Sequence, residues 1–170
     1  MTIYTRTGDD GTTALYNGRH LSKGDPQIVA YGSVDELTCA LGVFAIYIQE
    51  PKEKEFIKSI QQDLYVIMSF LAQAPTNLSD QEKKVDLFEQ KINIFTEQLP
   101  QLTQFILPQG SLVTCWAHMA RVVCRRSERS IICYFQKSKL MNEKKSRIIM
   151  KYVNRLSDLL FTYARIYSNE

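Results

Sequence analysis

The sequence predicts an all-α fold, a five-helix antiparallel bundle preceded by a non-helical arm. Three observations lead there. Apolar residues recur at spacings of three and four through five stretches of the chain. Gly (7) and Pro (5) are too scarce in 170 residues for a β-rich fold of tight turns. The connections between the periodic stretches are short, which makes successive helices antiparallel neighbours.

Residues 1–24 are rich in Gly, Thr and Asp, lack helical periodicity and read as a loop arm. The bundle is expected over 25–170, arm and bundle forming one domain. Asp25-Pro26 pairs an N-cap with proline at the first helical position, so a helix should run to about Gln49. Pro51 opens a second helix, with Phe56, Ile60, Leu64, Ile67 and Leu71 at helical spacing. Ser79 and Glu82 have capping-box spacing for a third, which carries Val85, Phe88, Ile92 and Phe95. Pro100 to Pro108 is a connection. A fourth helix is expected from about Ser111 to Gln136. The fifth, from about Glu143 to Tyr167, carries Ile149, Tyr152, Val153, Leu156, Leu160 and Tyr163.

Composition narrows the function classes. Hydrophobic residues at 45% and charged residues at 23% suffice for a folded core. A net charge of +3 does not suggest a nucleic-acid binder. No uninterrupted apolar run reaches the roughly 18 residues of a membrane span. The segment Met1 to Arg6 has no signal-peptide core and does not read as a mitochondrial presequence, so a cytoplasmic location is expected. Cys39, Cys115, Cys124 and Cys133 form no CxxC pair and are expected as buried small hydrophobes. His20 and His118 have no ligand-spaced partner, which argues against a zinc or di-iron site.

Five constellations carry chemistry. Thr5-Arg6-Thr7-Gly8-Asp9-Asp10-Gly11-Thr12-Thr13 combines glycines, hydroxyls and a guanidinium, with Lys23 nearby in sequence. Such a loop suits a triphosphate, although it lacks the Gly-Lys-Ser/Thr of a Walker A loop. A hairpin or a frayed arm is the structural alternative. On the first helix, Gly32, Asp35, Cys39 and Gly42 form a stripe of small residues around one carboxylate. It suits close approach of a ligand, or a tight helix contact with Asp35 paired to an arginine. On the fourth helix, Arg121, Arg125 and Glu128 share a face, flanked by Arg126 and Arg129. Glu128 is placed to hold Arg125 or Arg121, and oriented guanidinium groups match phosphate oxygens. A solvated charged face is the alternative. Asn154 and Asp158 share a face of the fifth helix, as a nucleoside contact or a bundle polar network. Phe105-Ile106-Leu107-Pro108 reads as core closure or as an apolar wall for a large flat ligand.

Taken in order, TRTGDDGTTAL (5–15), YGSVDELTCALG (31–42), FILPQG (105–110), HMARVVCRRSERS (118–130) and NRLSDLLF (154–161) resemble the PduO-type ATP:cob(I)alamin adenosyltransferases. The resemblance implies a homotrimer of five-helix bundles with sites between subunits. ATP, magnesium and cobalamin would bind there, with potassium nearby. It implies that Thr5, Arg6, Thr7, Gly8 and Thr13 wrap the triphosphate with Lys23. Arg125, Arg126, Glu128, Arg129 and Asn154 would complete the nucleotide site, with Glu128 the candidate near magnesium. Asp35 and Arg121 would form an ion pair shaping the cobalamin side. Phe105 would lie under the corrin and keep the lower axial ligand away. Three positions depart from the family pattern: Arg6 stands where Lys is common, Gln109 where Gly is usual, and Ser127 where Ala is usual.

The chemistry so implied is displacement at C5′ of ATP by Co(I), with triphosphate leaving. The substrate itself is the nucleophile, which suits a chain with no catalytic triad. A reductase or a cobalamin-dependent enzyme is an expected partner; nucleic acid and membrane are not. Rival readings are a non-catalytic sensor or carrier, a helical nucleic-acid module using residues 121–129, and a structural bundle without ligand.

Overall fold

The computed structural model describes Tyr4 and residues 6–168. A hairpin of β1 (Thr12–Ala14) and β2 (His20–Ser22) precedes five helices. These are α1 (Pro26–Tyr47), α2 (Pro51–Leu71), α3 (Ser79–Glu97), α4 (Leu112–Lys137) and α5 (Lys144–Ile166).

The helix starts follow local chemistry. Asp25 caps α1 by accepting from the Gln27 N–H at 2.8 Å, with Pro26 at the first position. Ser111 caps α4 through the Thr114 N–H at 3.3 Å. α1 stops at Tyr47, slightly short of the expected Gln49. Ile48 and Glu50 are both extended, and Glu50 precedes a proline, where helical geometry is disfavoured.

The capping box expected at Ser79 does not form. Leu78 occupies the cap position of α3 and no side chain closes on it. The Asn77 side chain accepts from the Ser79 N–H at 3.0 Å, which draws Ser79 into the helix as its first residue.

The arm is more ordered than a loop. Its strands pair antiparallel with Thr13 opposite Leu21. Gly18, at φ 79°, takes the left-handed conformation the connection requires. The Asn17 amide then donates to Gln73 at 2.6 Å, fastening the hairpin to the end of α2.

The core is shared along the order α2–α1–α4–α5–α3, with each helix packed on its neighbour in that series. Phe44, Phe88, Phe135, Tyr152 and Tyr163 are fully buried. Phe88 meets Tyr152 edge to face at 5.0 Å, and Phe44 meets Tyr163 at 5.7 Å. A polar seam joins α2, α3 and α5. Asp63 accepts from Gln81 at 2.7 Å and from the Tyr152 hydroxyl at 2.9 Å, with Lys84 at 3.5 Å. Further along, Glu53 accepts from Lys91 at 2.6 Å and from the Tyr163 hydroxyl. Ser127, a departure from the family pattern, is buried and donates to the Ser33 carbonyl at 2.6 Å, tying α4 to α1.

Two expectations about burial are corrected. Only Cys124 is buried; Cys39 and Cys133 are exposed and Cys115 is partly buried, all four being free thiols. The half-turn offset that separates the three α4 cysteines also puts Cys133 on the solvent side. α1, although no uninterrupted apolar run was evident, is the one helix among the described residues long and apolar enough to cross a membrane by length and composition. In the fold that apolarity serves contacts with both α2 and α4, around Val34, Leu37, Leu41 and Phe44.

Candidate functional site

The arm builds its phosphate-side elements on a tight turn. The Gly11 N–H donates to the Gly8 carbonyl at 3.2 Å, and the Lys23 N–H donates to the Gly11 carbonyl at 2.9 Å. The Lys23 ammonium donates to the Gly8 carbonyl at 2.7 Å, so the lysine folds onto the glycine turn. A Cβ at position 8 would lie 3.1 Å from both that ammonium nitrogen and the Thr12 carbonyl oxygen, which explains the glycine. Asp10 accepts from the Thr12 hydroxyl at 2.7 Å and N–H at 2.9 Å, and these bonds hold its carboxyl below the usual range. Arg6 is exposed, at φ 62°, with its guanidinium 5.5 Å from the Tyr4 ring centroid. Thr7 is exposed. Thr5 lies outside the described residues.

Thr13 and Lys23 line a cavity of about 630 Å³ between the arm, α1 and α2. Tyr31, Gly32, Tyr65 and Met68 line it too, and sequence reasoning had singled out only Gly32 among them. Tyr65 shows no motif of its own; the arm brings it into this wall.

On α4, Arg125 and Arg129 are exposed and make no hydrogen bond or ion pair among the described residues. Arg126 forms an ion pair with Glu36 of α1. Glu128, expected to hold Arg125 or Arg121, instead accepts from the Asn154 amide at 2.9 Å. The correction has a plain cause: α5 packs along α4 and offers a donor across the helix pair, which spacing along one helix does not reveal. Within α5 itself, Asp158 accepts from Arg155, three residues before it, at 2.9 Å. The tertiary fold thus joins Glu128 to Asn154, and Lys23 to Gly8. Among the described residues, none of Arg125, Glu128, Arg129 and Asn154 bonds to the arm.

A second cavity, of about 590 Å³, is lined by residues 102–106, His118, Arg121 and Phe161. It unites two predicted residues, Phe105 and Arg121. The loop is a wall and not core closure, since Phe105 is 103% exposed and Leu107 68%. The Arg121 guanidinium sits 5.9 Å from the Phe161 ring, and its Nε is buried without a hydrogen-bond partner. Burial, with Arg125 adding like charge, lowers its pKa. His118 is only 5% exposed, with its ring 6.4 Å from Phe161 and a buried, unpartnered Nδ1. Burial and then the Arg121 charge lower its pKa from the ordinary 6.5. The sequence weighs His118 only as a metal ligand; its spacing of three from Arg121 is the signal for a shared face.

Asp35 and Arg121 form no ion pair among the described residues of one chain. Asp35 is exposed on α1 with Gly32 and Cys39 beside it. The small stripe therefore faces outward along most of its length. At Gly42 it meets α2, where a Cβ would lie 3.2 Å from the Gln61 amide. No cluster of three or more His, Cys, Asp or Glu able to hold a metal occurs among the described residues.

A five-helix bundle with a glycine- and threonine-rich arm and an arginine-bearing fourth helix defines the class: an all-α helical-bundle protein. Within that class the sequence model of the cobalamin adenosyltransferases matches residues 3–167, and the chain belongs to that family. A corrinoid adenosyltransferase of Citrobacter freundii is 37% identical, the match covering 96% of this chain and 93% of the relative. The human corrinoid adenosyltransferase MMAB is also 37% identical, over 96% of this chain and 67% of its own length. The chain spans about half the length, 49%, of the Citrobacter freundii corrinoid adenosyltransferase PduO, at 36% identity. Among solved structures, a phenylalanine-to-alanine variant of the PduO-type ATP:corrinoid adenosyltransferase from Lactobacillus reuteri, complexed with cobalamin and ATP, superposes with a TM-score of 0.86. That likeness covers 99% of this chain and 94% of the other at 32% identity.

Proposed function

We propose that this chain transfers the 5′-deoxyadenosyl group of ATP to Co(I) of reduced cobalamin, giving adenosylcobalamin and triphosphate. One observation carries the reading: the kinship runs over 96% of the chain, at 37% identity, to a corrinoid adenosyltransferase of which the match covers 93%. The fold it shares with a cobalamin- and ATP-bound structure points the same way.

The substrate cobalt supplies the electron pair for the new Co–C bond. The C5′–O bond breaks, and triphosphate departs with that bond's electrons. The protein's tasks are then electrostatic and geometric. Arg6, Lys23 and Arg125 meet the charge that develops on the leaving group. Thr5, Thr7, Gly8 and Thr13 wrap the phosphates, while Arg126, Arg129 and Asn154 complete the nucleotide side. Holding C5′ in line with cobalt contributes up to roughly 7–11 kcal/mol. Phe105 presents an apolar face to the corrin and keeps the lower axial ligand out, which makes Co(II) easier to reduce.

Magnesium fits this arrangement as an ion held mainly by phosphate oxygens and water, a mode that needs only one or two protein carboxylates. Glu128 is the candidate, because Asn154 engages only its Oε1. When bound, the ion would neutralise phosphate charge. Potassium belongs to the same proposal, with no residues assigned to it.

A homotrimer with interfacial sites is part of the reading. Among the described residues of one chain, Arg125 has no bond to the arm and Asp35 no ion pair with Arg121; in this reading a neighbouring copy supplies both meetings. A cytoplasmic location, a single catalytic domain and a reductase or cobalamin-dependent partner complete the proposal. A sensor or carrier would need the phosphate residues but no in-line geometry at cobalt.

The test is an anaerobic absorbance assay with ATP, magnesium and chemically reduced cobalamin. The adenosylcobalamin spectrum is expected to appear, with Arg125→Ala lowering kcat/KM by at least about 100-fold, the scale of one lost charge contact in the transition state. ATP binding without any product would sink the catalytic reading in favour of the carrier.

A further inference from the structure

We propose that His118 is a corrinoid-binding residue, its imidazole hydrogen-bonding a carboxamide on the rim of the corrin beside the Arg121 Nε–H. The inference rests on the function proposed above and assigns a residue that the sequence motifs left without a role.

The geometry comes first. His118 and Arg121 lie one helical turn apart on α4 and line the same cavity as Phe105. Each carries a buried nitrogen with no hydrogen-bond partner, Nδ1 in one and Nε in the other. Buried polar nitrogens are partnered in the great majority of cases. Two unpartnered ones in a single cavity wall mark a site whose partner comes from outside the chain. The rest of the wall is largely apolar, with Leu102, Phe105, Ile106 and Phe161. An apolar cavity with a few converging polar groups is the usual form of a small-molecule site.

The chemistry of the occupant follows. Burial and the adjacent Arg121 both favour the neutral imidazole, which has one donor and one acceptor nitrogen. A carboxamide offers a carbonyl oxygen and an NH₂ group. It can accept from Arg121 and donate to His118, and corrin rims carry such amides. A half-turn of the imidazole exchanges Nδ1 with Cδ2 in almost the same volume, so either ring edge can present a nitrogen to the cavity. A neighbouring subunit's carboxylate on Arg121 leaves room for this contact, since a guanidinium has five N–H donors.

The experiment uses the full chain in the anaerobic assay, with ATP and cobalamin varied separately. Wild-type protein is run first, and a wild type without product would count against the proposed function and not against His118. For His118→Phe, the KM for cobalamin should rise about tenfold, the scale of one neutral hydrogen bond. The KM for ATP should hold, and the effect should fall on KM and not on kcat. His118→Gln, whose amide can both donate and accept a hydrogen bond, should recover most of the loss. His118→Met supplies a second non-bonding side chain should the phenylalanine variant fail to fold, as judged by circular dichroism. An unchanged KM for cobalamin would overturn the proposal. So would a parallel rise in both KM values with a change in oligomer mass, which would place the imidazole at a subunit contact.

Discussion

Phe105 is the clearest case of a residue whose value lies outside its own fold. It is 103% exposed, so it contributes nothing to the core. Truncating an exposed side chain leaves stability within about 0.5 kcal/mol. Phe105→Ala should therefore unfold at the same urea concentration as wild type, spare ATP binding, and slow the reaction that starts from Co(II). Urea titration and an assay coupled to reduction of Co(II) check the two halves separately. His118 carries the opposite signature. Its pKa is lowered in the fold, so the folded state resists the proton that the unfolded chain takes up near pH 6.5. The stability present above that pH is lost as pH falls toward and through the folded pKa. Among the described residues that line its cavity, the charged neighbour is Arg121 on the same helix, since the loop residues 102–106 and Phe161 are uncharged. Melting temperatures measured from pH 7.5 down to 5.5 should fall, and His118→Gln should flatten that slope.

At the scale of elements, α2, α3 and α5 are joined by a buried carboxylate as well as by apolar packing. Asp63 is 8% exposed and meets Gln81, Tyr152 and Lys84 at once. Removing it strands a buried hydroxyl and amide and leaves Lys84 without its carboxylate. Breaking a buried polar network from one side costs about 3–5 kcal/mol. Asp63→Ala should lose stability on that scale in urea unfolding, without moving either cavity's lining. Its consequence for activity is indirect, through α5, which also positions Asn154 and Phe161.

At the scale of the whole molecule, the basic residues proposed to meet the phosphates lie apart. Arg125 and Arg129 stand exposed on α4, while Lys23 closes on Gly8 in the arm. Tyr31, Val29, Met119 and Val122 add exposed apolar surface on α1 and α4. The proposed trimer would cover both features. Sedimentation equilibrium should give the mass of three chains. Mixing an Asp35→Ala variant with an Arg121→Ala variant tests the interfacial pair. Sites that draw one residue from each copy should regain part of the activity that either variant lacks alone. A monomer mass would remove the interfacial reading.

The five helices were legible in the sequence because their causes are local. Asp25 before Pro26, Ser111 before Leu112 and the three-four apolar spacing act within a turn or two of the chain. The candidate site was legible in residue type for the same reason, as Arg121, Arg125 and Glu128 announce a shared face by spacing alone. Partnership was not legible. Glu128 chose Asn154, 26 positions away, over the arginines beside it, because α5 brings a donor across the helix pair. Asn77 displaced Ser79 from its expected cap through a competing side chain two residues upstream. The cavity that gathers Phe105, His118, Arg121 and Phe161 draws on a loop and two helices. Periodicity determined which faces are apolar, since it depends on bond geometry common to every helix. Which polar groups end up paired, and which, like His118 Nδ1 and Arg121 Nε, are buried without a partner among the described residues, was decided only when the helices packed, because desolvation and hydrogen-bond geometry exist only between surfaces already in contact.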